Sequence, residues 1–144
     1  IGSFDPVALD LDGKGVSTSK NKIQFDMTGN GQKNTVNDIG QGTGVLCVDS
    51  SGDGKSGENG KGLLGDNTDL SRFGIQGKFS DGFSALQAIA QNAKQKGLIN
   101  NDQTLDASEL ATLQQDYGLK IKQGSLNNQA TSLADAGVSS IDLS

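Results

Sequence analysis

The chain has 144 residues, a length that fits one domain, and a net charge of −5 from 12 basic and 17 acidic residues. Hydrophobic residues make up only 33% of it, and its 21 glycines are about twice the usual ~7% share, so we expect a thin core. No basic stripe is present, which argues against nucleic acid as a partner. Histidine is absent, which excludes Ser-His and Cys-His catalysis and ordinary zinc sites.

The single cysteine, Cys47, lies in an apolar run, and we interpret it as a buried strand residue and not as a reactive thiol. No run approaches ~18 apolar residues, so we expect no transmembrane segment. No signal peptide is recognisable either. If the chain is secreted, we expect an excised fragment or export without an N-terminal signal. We expect a monomer.

Three short apolar segments, at 7–9, 22–25 and 45–48, each lead into an acidic loop that contains glycine. Strands this short are stable only when paired, which predicts a small antiparallel sheet. The second half has helical periodicity. The sequence therefore predicts an α+β fold in a single module over 1–144. A strand and loop part with calcium loops covers about 5–80, and two or three short helices, with an EF-hand-like segment, cover 81–144.

The first predicted helix covers about 82–96, with Asp81 or Ser80 as N-cap and Gly97 at its end. A second helix is predicted from Ala107 to about Tyr117, followed by a glycine. A third, short helix is predicted over 129–136.

The three loops place oxygen-bearing side chains at about every second position and glycine where the chain turns, a pattern typical of loops that wrap Ca²⁺. The third loop matches the start of an EF-hand best. Asp49, Ser51 and Asp53 take positions 1, 3 and 5, the Lys55 carbonyl takes position 7, and Glu58 is the nearest substitute for the missing acid at position 12. The alternative is an Asp- and Gly-rich turn that needs no metal.

The other two loops have fewer ligands, and we interpret them as half-sites that distant residues, such as those around Asp66, would complete. Their candidate ligands are Asp10 and Asp12 in the first loop, and Asp26, Thr28 and Asn30 in the second.

A fourth candidate resembles the second half of an EF-hand. Its ligands would be Asn100, Asp102, the Thr104 carbonyl, Asp106 and Glu109. Asp106 could equally be the N-cap of the second helix, with Glu109 completing a capping box.

The Asp5-Pro6 bond has chemistry of its own, although most Asp-Pro pairs are simply turns or strand entries. The Asp5 carboxylate can attack its own carbonyl carbon and expel the proline nitrogen, which gives a cyclic anhydride. Proximity within one residue favours this step, and it needs neither histidine nor serine.

Five short sequences along the chain form a recognisable series. They are Asp5-Pro6, DLDG at 10–13, GVLCVD at 44–49, GDNT at 65–68 and SSIDL at 139–143. In their order and spacing they resemble the self-processing module of FrpC-like RTX proteins, and the likeness spans nearly the whole chain.

This resemblance implies a calcium-dependent module of secreted or surface-located bacterial proteins that use type I secretion. It implies single-turnover cleavage at Asp5-Pro6 and transfer of the new aspartyl end to a lysine amine of another protein, forming an isopeptide bond. The chain departs from the family at Lys14, at Gly62 and in the lysine-containing stretch 91–96, where acidic residues are expected. Two alternatives therefore stay open: a calcium-binding or adhesion module without cleavage, and a dockerin-like domain.

Overall fold

The computed structural model describes residues 8–11, 13, 18–100 and 103–143. The predictions made for Asp5, Pro6, Asp12, Lys14 and Asp102 lie outside these residues. The strands are β1 (Ala8–Asp10), β2 (Thr18–Phe25), β3 (Asn34–Ile39), β4 (Thr43–Cys47), β5 (Thr104–Leu105), β6 (Lys120–Gln123) and β7 (Ile141–Asp142), and the helices are α1 (Gly82–Gln95) and α2 (Ala107–Tyr117).

The strands form small antiparallel sheets, which together with two helices confirm the α+β class. The expectation of one sheet is wrong: β1, β4 and β6 pair in that order, β2 pairs with β3, and β5 pairs with β7. The sequence did not predict β3 because four of its six residues are polar, and three of these are exposed. Its cross-strand contacts are polar too, as in the 2.6 Å bond that Gln24 Nε2 donates to Thr35 Oγ1.

Both long helices form where the sequence predicts them. Asp81 caps α1, its Oδ1 accepting from the Ser84 backbone N–H at 2.7 Å, and Gly97 follows the end of the helix with φ of 75°. The i, i+3, i+4 spacing predicts a buried face that includes Phe83, Leu86, Ile89, Ala90 and Ala93, and the helix buries the last four together with Ala85. Phe83, in the first turn, is exposed.

The third predicted helix does not form. The backbone of Thr131 exchanges two hydrogen bonds with Ile121 of β6, at 2.9 and 2.8 Å, so the chain is extended there. A single turn comes next, at 133–137, with a 2.9 Å bond from Val138 N to the Leu133 carbonyl. Because Thr131 is held in a β-bridge with Ile121, only one turn remains, and a single turn is too short to form a stable helix.

Strand β4 is buried along its whole length and separates two apolar clusters. Leu46 packs with the two helices, whereas Val45 and Cys47 pack against Phe25, Ile39, Leu63 and Leu126. Burial raises the pKa of Cys47 to about 12, which confirms its interpretation as a core residue. Within the described residues, no helix is long and apolar enough to cross a membrane.

Candidate metal-binding loops

The third loop begins directly after β4, and the Asp49 carboxylate organises its backbone. Asp49 Oδ1 accepts from Gly52 N at 2.8 Å, and Oδ2 accepts from Gly54 N at 2.9 Å. Both glycines have φ above +80°, a conformation that side chains disfavour. Lys55 N donates to Asp53 Oδ1 at 3.0 Å. The loop thus folds around the carboxylate at its first position.

The second loop repeats this network. Asp26 Oδ1 accepts from Gly29 N at 2.8 Å, and Oδ2 accepts from Gly31 N at 2.9 Å. Gln32 N donates to Asn30 Oδ1 at 2.9 Å, as Lys55 N does to Asp53. The two loops are structural copies, and they differ in charge because Asn30 stands where the third loop has Asp53.

Glu58 folds back onto the third loop. Its Oε1 accepts from Ser51 Oγ at 3.1 Å, and its carboxyl group lies next to that of Asp53. The interaction between these two carboxyl groups lowers the pKa of Asp53 to about 2 and raises the pKa of Glu58. Two neighbouring carboxylates repel each other when both are ionised, and a cation bound between them would remove that repulsion.

Asp49 is held slightly apart from that pair. Arg72 lies 3.7 Å from its Oδ2 and donates through Nε to its backbone carbonyl at 3.1 Å. Consistent with this arrangement, the described part of the chain contains no group of three or more acidic or cysteine side chains placed to hold an ion. The Asp49 oxygens each accept one backbone N–H, which leaves a lone pair on each for a further partner.

The second loop lies beside the Asp66 region, as the sequence predicted. Thr28, Asp66 and Asp69 line the same cavity of about 330 Å³. Asn67 Nδ2 donates to the Met27 carbonyl at 3.0 Å, and Asp66 Oδ1 is buried without a hydrogen-bond partner among the described residues. That residues around Asp66 complete an ion site with the second loop stays a prediction.

At the fourth candidate, the capping box is formed. Asp106 Oδ1 accepts from Glu109 N at 2.8 Å, and Glu109 Oε1 accepts from Asp106 N at 3.1 Å. The other Glu109 oxygen accepts from Asn100 N at 3.0 Å and closes the loop before α2. The capping interpretation is confirmed. Calcium binding by Asn100, Thr104, Asp106 and Glu109 stays a prediction. The same is true of calcium binding by Asp10 in β1.

The sequence did not identify the residues that join the third loop to the rest of the molecule. Ser56 Oγ donates to the Gly118 carbonyl at 2.5 Å, directly after α2. Further along the chain, Thr68 Oγ1 donates from the GDNT segment to the Leu63 carbonyl at 2.6 Å. Arg72 reaches Asp49 from 23 residues away, a separation that leaves no local signal. For Thr68, the GDNT sequence itself was the available signal.

Residues 7–144 match the SPM domain family. The chain belongs to that family. It is also 31% identical over 147 residues to the iron-regulated protein FrpA of Neisseria meningitidis serogroup C. That match covers 97% of this chain and 12% of the relative, so the chain spans about an eighth of the relative's length. The resemblance to FrpC-like RTX proteins is thereby confirmed at the level of the family.

Proposed function

We propose that this SPM domain is a calcium-folded module of a secreted, RTX-related bacterial protein, and that it cleaves its own Asp5-Pro6 bond. The observation that carries the proposal is the third loop, where Ser51 Oγ donates to Glu58 next to Asp53 and where the Asp49 carboxylate organises the loop backbone. Oxygen atoms of carboxylates and hydroxyls are the ligands that Ca²⁺ prefers.

Calcium would stabilise the fold through this loop. Without a cation, the Asp53 and Glu58 carboxylates repel each other when both are ionised. The loop also contacts the last turn of α2, since Asp49 N donates to the Tyr117 carbonyl at 3.1 Å. An ion bound in the third loop would therefore stabilise the contact between the end of β4 and the end of α2.

The same strand connects the loop to the candidate scissile bond. Ala8 of β1 pairs with Val45 of β4, and Asp49 follows Val45 by four residues. Asp5 precedes Ala8 by only three residues in the sequence. Ordering the end of β4 would therefore order the strand that anchors the bond.

The proposed cleavage needs only the residues of the bond. A carboxylate oxygen of Asp5 bonds to its own carbonyl carbon, the bond from that carbon to the Pro6 nitrogen breaks, and the nitrogen takes up a proton. The resulting five-membered anhydride is opened by water, which restores a terminal aspartate, or by a lysine amine of another protein, which gives an isopeptide bond.

The test is mass spectrometry of a form extended upstream of Ile1, incubated with Ca²⁺. We expect fragments that meet between Asp5 and Pro6. Asp5→Asn should abolish them because the amide cannot form the anhydride, and Asp5→Glu should impair the reaction because it requires a six-membered ring. A folded, calcium-loaded domain that stays intact for days would contradict cleavage.

That negative result would favour the second candidate, a calcium-binding or adhesion module without cleavage. The observation that favours it is the sequence departure at Lys14 and in 91–96, where the family pattern has acids.

A further inference from the structure

Lys122 is a buried cation that the proposed function does not use. Its side chain is 5% exposed in the middle of β6, and Nζ donates to the Leu126 carbonyl at 2.7 Å. Nζ also lies 5.2 Å from the centroid of the Phe25 ring. No carboxylate of the described residues lies within ion-pair distance of it.

A buried ammonium group normally has a charged partner, because removing it from water is costly. Burial lowers the pKa of Lys122, and the Cys47 and Glu58 groups raise it in part. One carbonyl leaves two of the three ammonium hydrogens for other acceptors. The surroundings therefore favour an anionic partner at this point.

A cavity of about 250 Å³ adjoins this amine. Its charged lining residues among those described are Lys55, Lys120, Lys122 and Glu58, three positive groups against one negative group, or +2 when all are ionised. Asn127 and Asn128 also line the cavity, and Asn128 Nδ2 donates one hydrogen bond, to the Gln123 carbonyl at 2.7 Å. Gly57 packs directly against the Lys122 side chain, since a Cβ there would lie 2.7 Å from Lys122 Cε. The cavity thus combines a net positive charge with neutral hydrogen-bond donors.

We propose that this cavity binds a small dicarboxylate anion, with the Lys122 ammonium group as its buried contact. A dicarboxylate with a charge of −2 would neutralise the +2 charge of the ionised lining residues. The amides of Asn127 and Asn128 can donate to the second carboxylate, and lysine and amide donors both suit planar oxygen acceptors.

The test is an NMR titration of the whole chain with sodium succinate, with sodium chloride at matched ionic strength as control and a fixed excess of CaCl₂ throughout. We expect saturable shifts of the Asn127, Asn128 and Lys120 amide signals with succinate and no saturation with chloride. Linear shifts of equal size with both salts would overturn the proposal. Calcium binding is measured separately by calorimetry. A failure of the proposed calcium binding can therefore be told apart from a failure of succinate binding.

Lys122→Met keeps the apolar length of the side chain and removes its charge. We expect it to weaken succinate binding by about tenfold or more, the effect of one charged hydrogen bond. Lys22→Met, on the exposed side of the β2–β3 pair, is the matched control and should leave the affinity unchanged. Should Lys122→Met fail to fold, Lys120→Met is compared with Lys22→Met instead. Equal affinities in the test and control variants would overturn the proposal.

Discussion

The backbone N–H of Asp49 donates to the carbonyl oxygen of Tyr117 at 3.1 Å, so the third loop begins where α2 ends. Gly118 completes this joint with φ of 71°, and a Cβ on it would lie 2.7 Å from Asp49 Cβ. The loop that we propose binds calcium is therefore part of the packing between sheet and helix. Changes on either side of the joint should affect both stability and calcium binding.

Gly118→Ala should destabilise the domain more than Gly137→Ala does. Both glycines have positive φ, which costs an alanine about 1–2 kcal/mol. Only Gly118 has atoms within contact distance, and overpacking adds about 1–3 kcal/mol. Urea unfolding of both variants measures the difference, and equal losses of unfolding free energy would show that the contact with Asp49 is unimportant.

Glu58→Gln should have opposite effects with and without calcium. The folded protein raises the pKa of Glu58, so the contribution of Glu58 to stability is complete below its unfolded pKa and is lost as pH rises through the folded one. Glutamine removes the charge of Glu58 and with it the repulsion from Asp53. At pH 7 the calcium-free variant should therefore be more stable than the wild type.

The same variant should bind calcium more weakly, because it lacks an anionic ligand. Calcium affinity should fall as pH decreases through the raised pKa of Glu58, because below that pKa calcium must displace a proton from Glu58. Calorimetry in buffers of different ionisation enthalpy measures that proton. An unchanged calcium affinity in Glu58→Gln would remove Glu58 from the proposed site.

The third loop should be the dominant site. Replacing Asp49 and Asp53 together by asparagine should lower calcium affinity more than the same change at Asp10 and Asp12. The third loop has Glu58 nearby, and the first has no such acid in sequence. Calorimetric titration of the two double variants gives the ranking, and an equal or larger loss at the first loop would reverse it.

Asp106→Ser separates the two roles considered for the fourth candidate. Serine caps a helix about as well as aspartate, whereas Asp106→Ala should cost about 1 kcal/mol. If Asp106 acts only as a cap, the serine variant keeps both its stability and its calcium affinity. Weaker calcium binding with unchanged stability would instead show that this acid is a ligand.

Local signals in the sequence predicted most of the elements. The periodicity of α1, its Asp81 cap and the Asp106–Glu109 capping box depend on neighbours within a few residues, and each formed as expected. The prediction of a third helix was wrong because the long-range β-bridge between Thr131 and Ile121 outweighs the local helix propensity. Arg72 was missed for the same kind of reason, since its partner Asp49 is distant in sequence.

At the candidate site, the sequence predicted the ligand types but not their arrangement. The spacing of Asp49, Ser51 and Asp53 is visible in the sequence, as is Glu58. The contact of Glu58 with Ser51, and its position next to Asp53, depend on how the loop folds back, and no spacing rule predicts them. The matching networks of the second and third loops likewise appear only in three dimensions.

Thermal unfolding with and without calcium tests the central claim most directly. The protein is freed of metal and melted in chelator, in millimolar Ca²⁺ and in millimolar Mg²⁺, followed by near-UV circular dichroism. Calcium at about 100 times its dissociation constant should add about 2.7 kcal/mol, which raises Tm by several degrees. Mg²⁺ should add less, because it requires a smaller and stricter octahedral site. An identical melting temperature in chelator and in Ca²⁺ would contradict a calcium-folded module.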